Sequence, residues 1–142
     1  MTKPILLIQN TAGEGPGTIF HWLTERSLPY TLVHTYRGQT LPDPGSVEAA
    51  VGLGCPHSVV SFHEHDYLKN LHAWLARAVR ENVPYLGICF GGQLLASVLG
   101  AKVEAGNAPE MGVYRAKLSD EGAADPLFAG FGREFPVFHW HN

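Results

Sequence analysis

The sequence predicts a three-layer α/β fold: a doubly wound, mainly parallel sheet with a small antiparallel extension. Three observations carry that expectation. The run Ile5-Leu6-Leu7-Ile8 after Pro4 is continuously apolar, the texture of a strand buried on both faces of a parallel sheet. Between Asp66 and Asn82, residues Leu68, Leu71, Leu75, Ala78 and Val79 recur at spacings of three and four, as on one face of a helix. The string Gly87-Ile88-Cys89-Phe90-Gly91-Gly92 packs glycines around one cysteine where a strand turns abruptly into a helix. Strands alternating with helices of these lengths form a parallel sheet, and ligands gather beyond the carboxyl ends of its strands.

Taken in order, the first strand meets Gly13, Gly15, Pro16 and Gly17, which read as a loop. Its spacing matches neither the dinucleotide fingerprint nor a Walker loop, and the Lys-Ser/Thr pair is missing, so a plain loop is favoured over a phosphate cradle. Helical spacing of Ile19, Trp22 and Leu23 runs from Thr18 to about Ser27, and Tyr30 to Tyr36 alternates like a second strand. Arg37 to Ser46, with Gly38, Pro42, Pro44 and Gly45, is loop; Ala50 to Gly54 is a short strand ending at Cys55-Pro56. The long helix from Asp66 leads into a strand over Pro84 to Cys89, and a helix follows over Gln93 to Leu99. Lys102 to Ala105 and Val113 to Leu118 alternate like exposed strands, with a helical turn around Asp125 to Phe131 between them and the end. Phe135 to Asn142 reads as a last strand with Phe138 and Trp140 on one face and His139 and His141 on the other. Trp22, Trp74 and Trp140 are expected to pack rather than to form a stacking platform.

The chain has 142 residues, 45% hydrophobic and 16% charged, which suits one domain over 1–142. A net charge of -3 without a basic run excludes an electrostatic footprint for nucleic acid or an anionic membrane. No apolar stretch approaches the roughly 20 residues of a membrane span, and the start is too short and polar for a signal peptide, so a cytoplasmic location is expected. Two cysteines, Cys55 and Cys89, are too few for a disulfide framework, and each sits at a strand end.

Cys89 has the spacing of a Gly-x-nucleophile-x-Gly elbow, which holds a nucleophile exposed at the start of a helix. A positive helix N-terminus there favours an anionic attacking group, and the backbone N–H of Phe90 points where an oxyanion forms. The competing reading, a buried cysteine among packing glycines, is the weaker one given so many glycines at one strand-helix junction.

The longer string resembles the class I glutamine amidotransferase family, whose signature Gly-x-Cys-x-Gly-x-Gln is here Gly87, Cys89, Gly91 and Gln93. The likeness extends to Pro84-Tyr85-Leu86 before the elbow, Leu94-Leu95-Ala96 and Leu99-Gly100 after it, Glu110-Met111-Gly112, and Phe138-His139-Trp140-His141. It implies a flavodoxin-like fold with a cysteine nucleophile elbow, in which Cys89 forms a γ-glutamyl thioester while ammonia leaves. Gln93 would bind the substrate; Glu110 is a second candidate for substrate contact, with an exposed strand carboxylate an equal reading on spacing alone. The stretch Val51 to Pro56 resembles the family's second oxyanion loop, with Gly54 and Cys55 as donors beside Phe90. Cys55 stands where a second glycine is usual, and its Cβ restricts a positive φ there.

The implied partners are glutamine or another γ-glutamyl compound, and a synthase domain or subunit that accepts ammonia; no cofactor is expected. A thiol nucleophile works with an imidazole and an orienting carboxylate. In the family these come from a His-x-Glu on a later strand, which this chain lacks, so the triad reads as incomplete and the domain as C-terminally incomplete. A degenerate binding or regulatory module is the next alternative. The last is recruitment of His139 or His141 as a surrogate base. A γ-glutamyl hydrolase acting on a γ-glutamylated amine shares the same first step, whereas Gln93 argues against a redox or chaperone-type relative. His63-Glu64-His65 and His139-Trp140-His141 pair imidazoles two residues apart, a spacing that on a strand suits zinc. With no convincing fourth ligand, ordinary surface histidines are the stronger reading and no metal is expected.

Overall fold

The computed structural model describes residues 2–106 and 109–141 and divides into two compact units, one up to Ala105 and one from Gly106 on. In the first, four strands lie parallel in the order β2-β1-β3-β4: β1 Ile5–Gln9, β2 Tyr30–His34, β3 Ala49–Gly52 and β4 Tyr85–Gly87. Leu6, Leu7 and Ile8 of β1 are fully buried, as the continuous apolar run requires of a central strand covered on both faces. Helix α1 (Gly17–Glu25) supplies Ile19 and Leu23 to a core on one face, with Leu7, Val51 and Leu53. Helices α2 (Asp66–Arg80) and α3 (Phe90–Val98) cover the other, through Leu68, Leu71, Leu75, Phe90 and Leu94. This is the mainly parallel three-layer sheet that the strand-helix alternation predicts, and the flavodoxin-like fold that the resemblance implies.

Helix α2 shows why its sequence is helical. The buried positions Leu68, Leu71, Trp74, Leu75 and Ala78 form one stripe. Asp66 in the first turn and Arg77 and Arg80 in the last oppose the helix dipole. Asn82, at a φ of 56°, ends it in the left-handed conformation common just past a helix. Truncating a leucine of that stripe to alanine costs about 2–5 kcal/mol. Trp74 packs as expected and its indole N–H donates to the Pro42 carbonyl at 2.6 Å, tying the loop before β3 to α2.

Several boundaries differ from the sequence expectation. The second strand stops at His34 and Thr35–Arg37 forms a 3-10 turn, because the Thr35 hydroxyl is drawn inward to Asn10. The helix after the elbow begins at Phe90 rather than Gln93, and Lys102 to Ala105 is not a strand. Trp22 and Trp140 are 49% and 70% exposed, so neither belongs to a core.

In the second unit, β5 (Glu110–Lys117) and β6 (Glu134–His141) form the antiparallel extension, in register from Glu110 opposite His141 to Lys117 opposite Glu134. Between them lie a short helix, α4 (Asp120–Ala124), and a 3-10 turn over Pro126–Phe128, starting earlier than the turn expected around Asp125. Met111, Val113, Phe138 and Trp140 share one face of the hairpin, all exposed. His139 and His141 share the other, the alternation expected of them; Asn142 lies outside the described residues.

Candidate active site

The order β2-β1-β3-β4 sends the chain from β1 to one side and then back to the other, which makes the carboxyl ends of β1 and β3 a topological switch point. The loops after β1 and β3 are tied there. Asn10, fully buried, donates from its side-chain amide to the Leu53 carbonyl at 2.9 Å and accepts from the Thr35 hydroxyl at 2.8 Å. Thr35 also donates to the Gln9 carbonyl at 3.1 Å. This buried network holds the strand end that carries Gly54 and Cys55.

Cys89 stands beside that strand end, between β4 and α3. Its φ of 52° and ψ of -115° lie in a region costly for any residue with a Cβ, and its thiol is exposed. The neighbouring glycines show what forces the turn. A Cβ on Gly91 would collide with the Gly52 carbonyl, and one on Gly87 would lie 2.6 Å from the backbone of Gly91. Helix α3 therefore starts directly against the ends of β3 and β4, closer than any side chain permits. The N–H groups of Gly91, Gly92 and Gln93 donate back to Ile88 and Cys89 carbonyls at 3.0, 3.0 and 3.1 Å. That of Phe90, the first helical residue, has no intrahelical acceptor. The Phe90 ring is fully buried beneath it, which fixes where that N–H lies. Gln93, on the next part of α3, is half-buried.

Gly54 and Cys55 are buried, and neither has a positive φ, so the cysteine at that position introduces no backbone strain. A Cβ built on Gly54 would be 3.8 Å from the Cβ of Cys89, which places this loop beside the elbow. The same built Cβ would strike the Glu14 carboxylate, so Glu14 lies over Gly54 beside the cysteine. Burial pushes the Cys55 thiol above its ordinary range; the nearby Glu14 and Cys89 add to the push, against hydrogen bonds from His57 and Tyr67. Burial likewise raises the Tyr67 phenol, 3.8 Å from the Cys55 sulfur.

Glu14 and Asn10 are the residues that sequence reasoning missed. Both follow β1, where a doubly wound sheet gathers its ligands, and that position was the available signal. The other nominated residues are in the second unit, where Glu110, His139 and His141 come together: Glu110 Oε2 lies 3.1 Å from His139 Nδ1 and 3.2 Å from His141 Nε2. His63 and His65 do not share a strand face, since Val59–Glu64 is 3-10 helix; His65 instead lies against His57, ring centres 3.8 Å apart. An open groove of about 450 Å³ flanks α2, lined by Thr35, Gln39, Tyr67, Trp74 and Arg77, and includes none of the elbow residues. Among the described residues no helix is long and apolar enough to cross a membrane.

Comparison with known proteins agrees with this architecture. Residues 47–142 match the family model described as Glutamine amidotransferase class-I. The chain is 31% identical over 134 residues to the glutamine amidotransferase-like protein YfeJ of Salmonella typhimurium, covering 91% of this chain and 56% of that protein. It is 35% identical over 100 residues to one subunit of the glutamine-hydrolyzing GMP synthase of Sulfolobus acidocaldarius, covering 67% of this chain and 46% of the relative. The crystal structure of a glutamine amidotransferase from Methylobacillus flagellatus superposes with a TM-score of 0.87 at 29% identity, covering 99% of this chain and 56% of that one. The chain thus spans about half the length of the relatives it matches. With its cysteine elbow at the carboxyl end of a doubly wound sheet and most of its length matched by the family model, this chain belongs to the class-I glutamine amidotransferase family.

Proposed function

We propose that this chain cleaves the side-chain amide of glutamine through a γ-glutamyl thioester on Cys89, releasing ammonia for a synthase domain or subunit. The observation that carries the reading is the strained, exposed Cys89 at the start of α3, with the Gly54 loop beside it. A side chain held at a φ of 52° persists only where the surrounding structure imposes it, and such strain gathers at functional sites.

In this reading the Cys89 sulfur attacks the γ-carbonyl carbon while its proton passes to a base. A C–S bond forms and the carbonyl pair moves onto oxygen. The N–H of Phe90 and the backbone of Gly54 and Cys55 receive that oxyanion, and Gln93 holds the substrate. Collapse breaks the C–N bond, the nitrogen takes a proton and leaves as ammonia, and water then converts the thioester to glutamate and thiol. Proton transfer calls for an imidazole, which in the family that the elbow resembles comes from a His-x-Glu on a later strand. Transfer of the ammonia to a synthase is supported by the name of the Sulfolobus relative, which belongs to a glutamine-hydrolyzing GMP synthase.

The test is ammonia release from glutamine together with labelling by a glutamine-mimicking electrophile. Wild type releases ammonia and takes up the label on Cys89, and Cys89→Ala and Cys89→Ser lose both. Full glutaminase activity in Cys89→Ala overturns the proposal, and absence of label from a folded sample points to a noncatalytic binding domain. Unassisted turnover of other γ-glutamyl amides would instead identify a γ-glutamyl hydrolase.

A further inference from the structure

We propose that the hairpin of β5 and β6 carries a binding site for a divalent transition metal of the zinc class, formed by Glu110, His139 and His141. The site follows from strand geometry. His139 and His141 are two residues apart on β6, so both imidazoles stand on the same face. Antiparallel register puts Glu110 of β5 directly opposite His141, and Gly112, with no side chain, opposite His139. Nothing on the partner strand therefore separates the Glu110 carboxylate from the second imidazole. The Tyr114 ring, one pair further along the same face, stacks on His139 with ring centres 4.6 Å apart and limits its rotation.

The spacing of the donor atoms matches an ion. One carboxylate oxygen, Glu110 Oε2, lies 3.1 Å from His139 Nδ1 and 3.2 Å from His141 Nε2, and the three residues' ligand atoms all fall within 4.8 Å of one another. Bonds of about 2.0–2.2 Å in a tetrahedral zinc site separate neighbouring ligand atoms by about 3.4 Å. Small side-chain rotations therefore bring all three donors to bonding distance of one ion. Two imidazoles and a carboxylate suit zinc, cobalt, nickel or copper, whereas calcium and magnesium prefer oxygen donors throughout. Three protein ligands leave a fourth position open to water or another ligand.

Along the sequence the His-Trp-His pair has no further ligand beside it, and Glu110, 29 residues earlier in the chain, supplies one. The competing occupancy is a carboxylate shared by two imidazoles through hydrogen bonds alone. A ligated imidazole has no lone pair left for proton transfer, so metal binding also excludes His139 and His141 as surrogate bases.

The experiment is a zinc titration of the full chain, without a polyhistidine tag and stripped of metal by a chelator, followed by calorimetry. Cobalt, read by its visible absorption, is the second probe. The expected result is saturable binding of one ion per chain, unchanged in Cys89→Ala, so that the outcome does not depend on the thiol chemistry proposed above. His139→Ala, His141→Ala and Glu110→Gln should each weaken binding about 10-fold or more, and His57→Ala/His65→Ala should leave it unaltered. All three ligand side chains are at least 33% exposed, so these substitutions leave the cores untouched, which circular dichroism verifies. No saturable zinc or cobalt binding by folded wild type overturns the proposal. So does binding that survives in His139→Ala/His141→Ala or disappears in His57→Ala/His65→Ala.

Discussion

Cys89 sits at a φ of 52° because Gly87 and Gly91 bring α3 against the strand ends and leave the chain no other turn. For a residue with a Cβ such a conformation costs about 1–3 kcal/mol, and glycine adopts it freely. Cys89→Gly is therefore expected to raise the unfolding free energy by about 1 kcal/mol, the strain relief less the extra chain entropy of glycine. It should abolish reaction with the glutamine-mimicking electrophile at the same time. Urea denaturation checks the first expectation, and a net loss of stability would show that the elbow is not strained. The flanking glycines were legible in the sequence because the local turn dictates them. Glu14 was not, since nothing in the Gly13 to Gly17 run says which distant backbone its carboxylate covers.

Among the elements, the loops after β1 and β3 act as one piece. Asn10 and Leu53 are 43 residues apart, yet a buried amide joins them, and the Leu53 carbonyl immediately precedes Gly54. Asn10→Ala leaves that carbonyl and the Thr35 hydroxyl short of a buried partner, a loss of about 1–3 kcal/mol. Chemical denaturation should show it, and ammonia release should fall with it because Gly54 and Cys55 lose their anchor. Wild-type stability in this variant would mean that the loop is held by packing alone. Helix α3 shows the limit of reading an element from its pattern. Its apolar residues suggest a start at Gln93, but the structure begins it at Phe90, because Gly91 and Gly92 are helical here for close packing rather than for turning.

For the whole molecule, burial sets a pH limit. Cys55, Tyr67 and Tyr85 are all held neutral above their ordinary values by burial. In the unfolded chain they ionise through the ordinary range, 9.0 for the thiol and 10.0 for the phenols. Their contribution to stability is complete below that range and is lost as the pH rises through it, because the unfolded state then releases protons that the folded state keeps. Urea midpoints measured from about pH 7 to about pH 10.5 are expected to fall progressively. A midpoint that holds or rises would show that these groups ionise as easily in the fold as outside it.

The sequence by itself determined the α/β class, the central strand, the stripe of α2, the elbow around Cys89, and the family that the Gly87 to Gln93 string resembles. Each is written in residues close together, where the period of apolar positions or the need for glycine acts directly. Only the tertiary structure decided what lies across from what. It places Glu14 over Gly54, ties Asn10 to Leu53, and sets Glu110 opposite His141. Those neighbours depend on strand order and register, which a one-dimensional pattern leaves open because a slip of one residue sends every side chain to the opposite face.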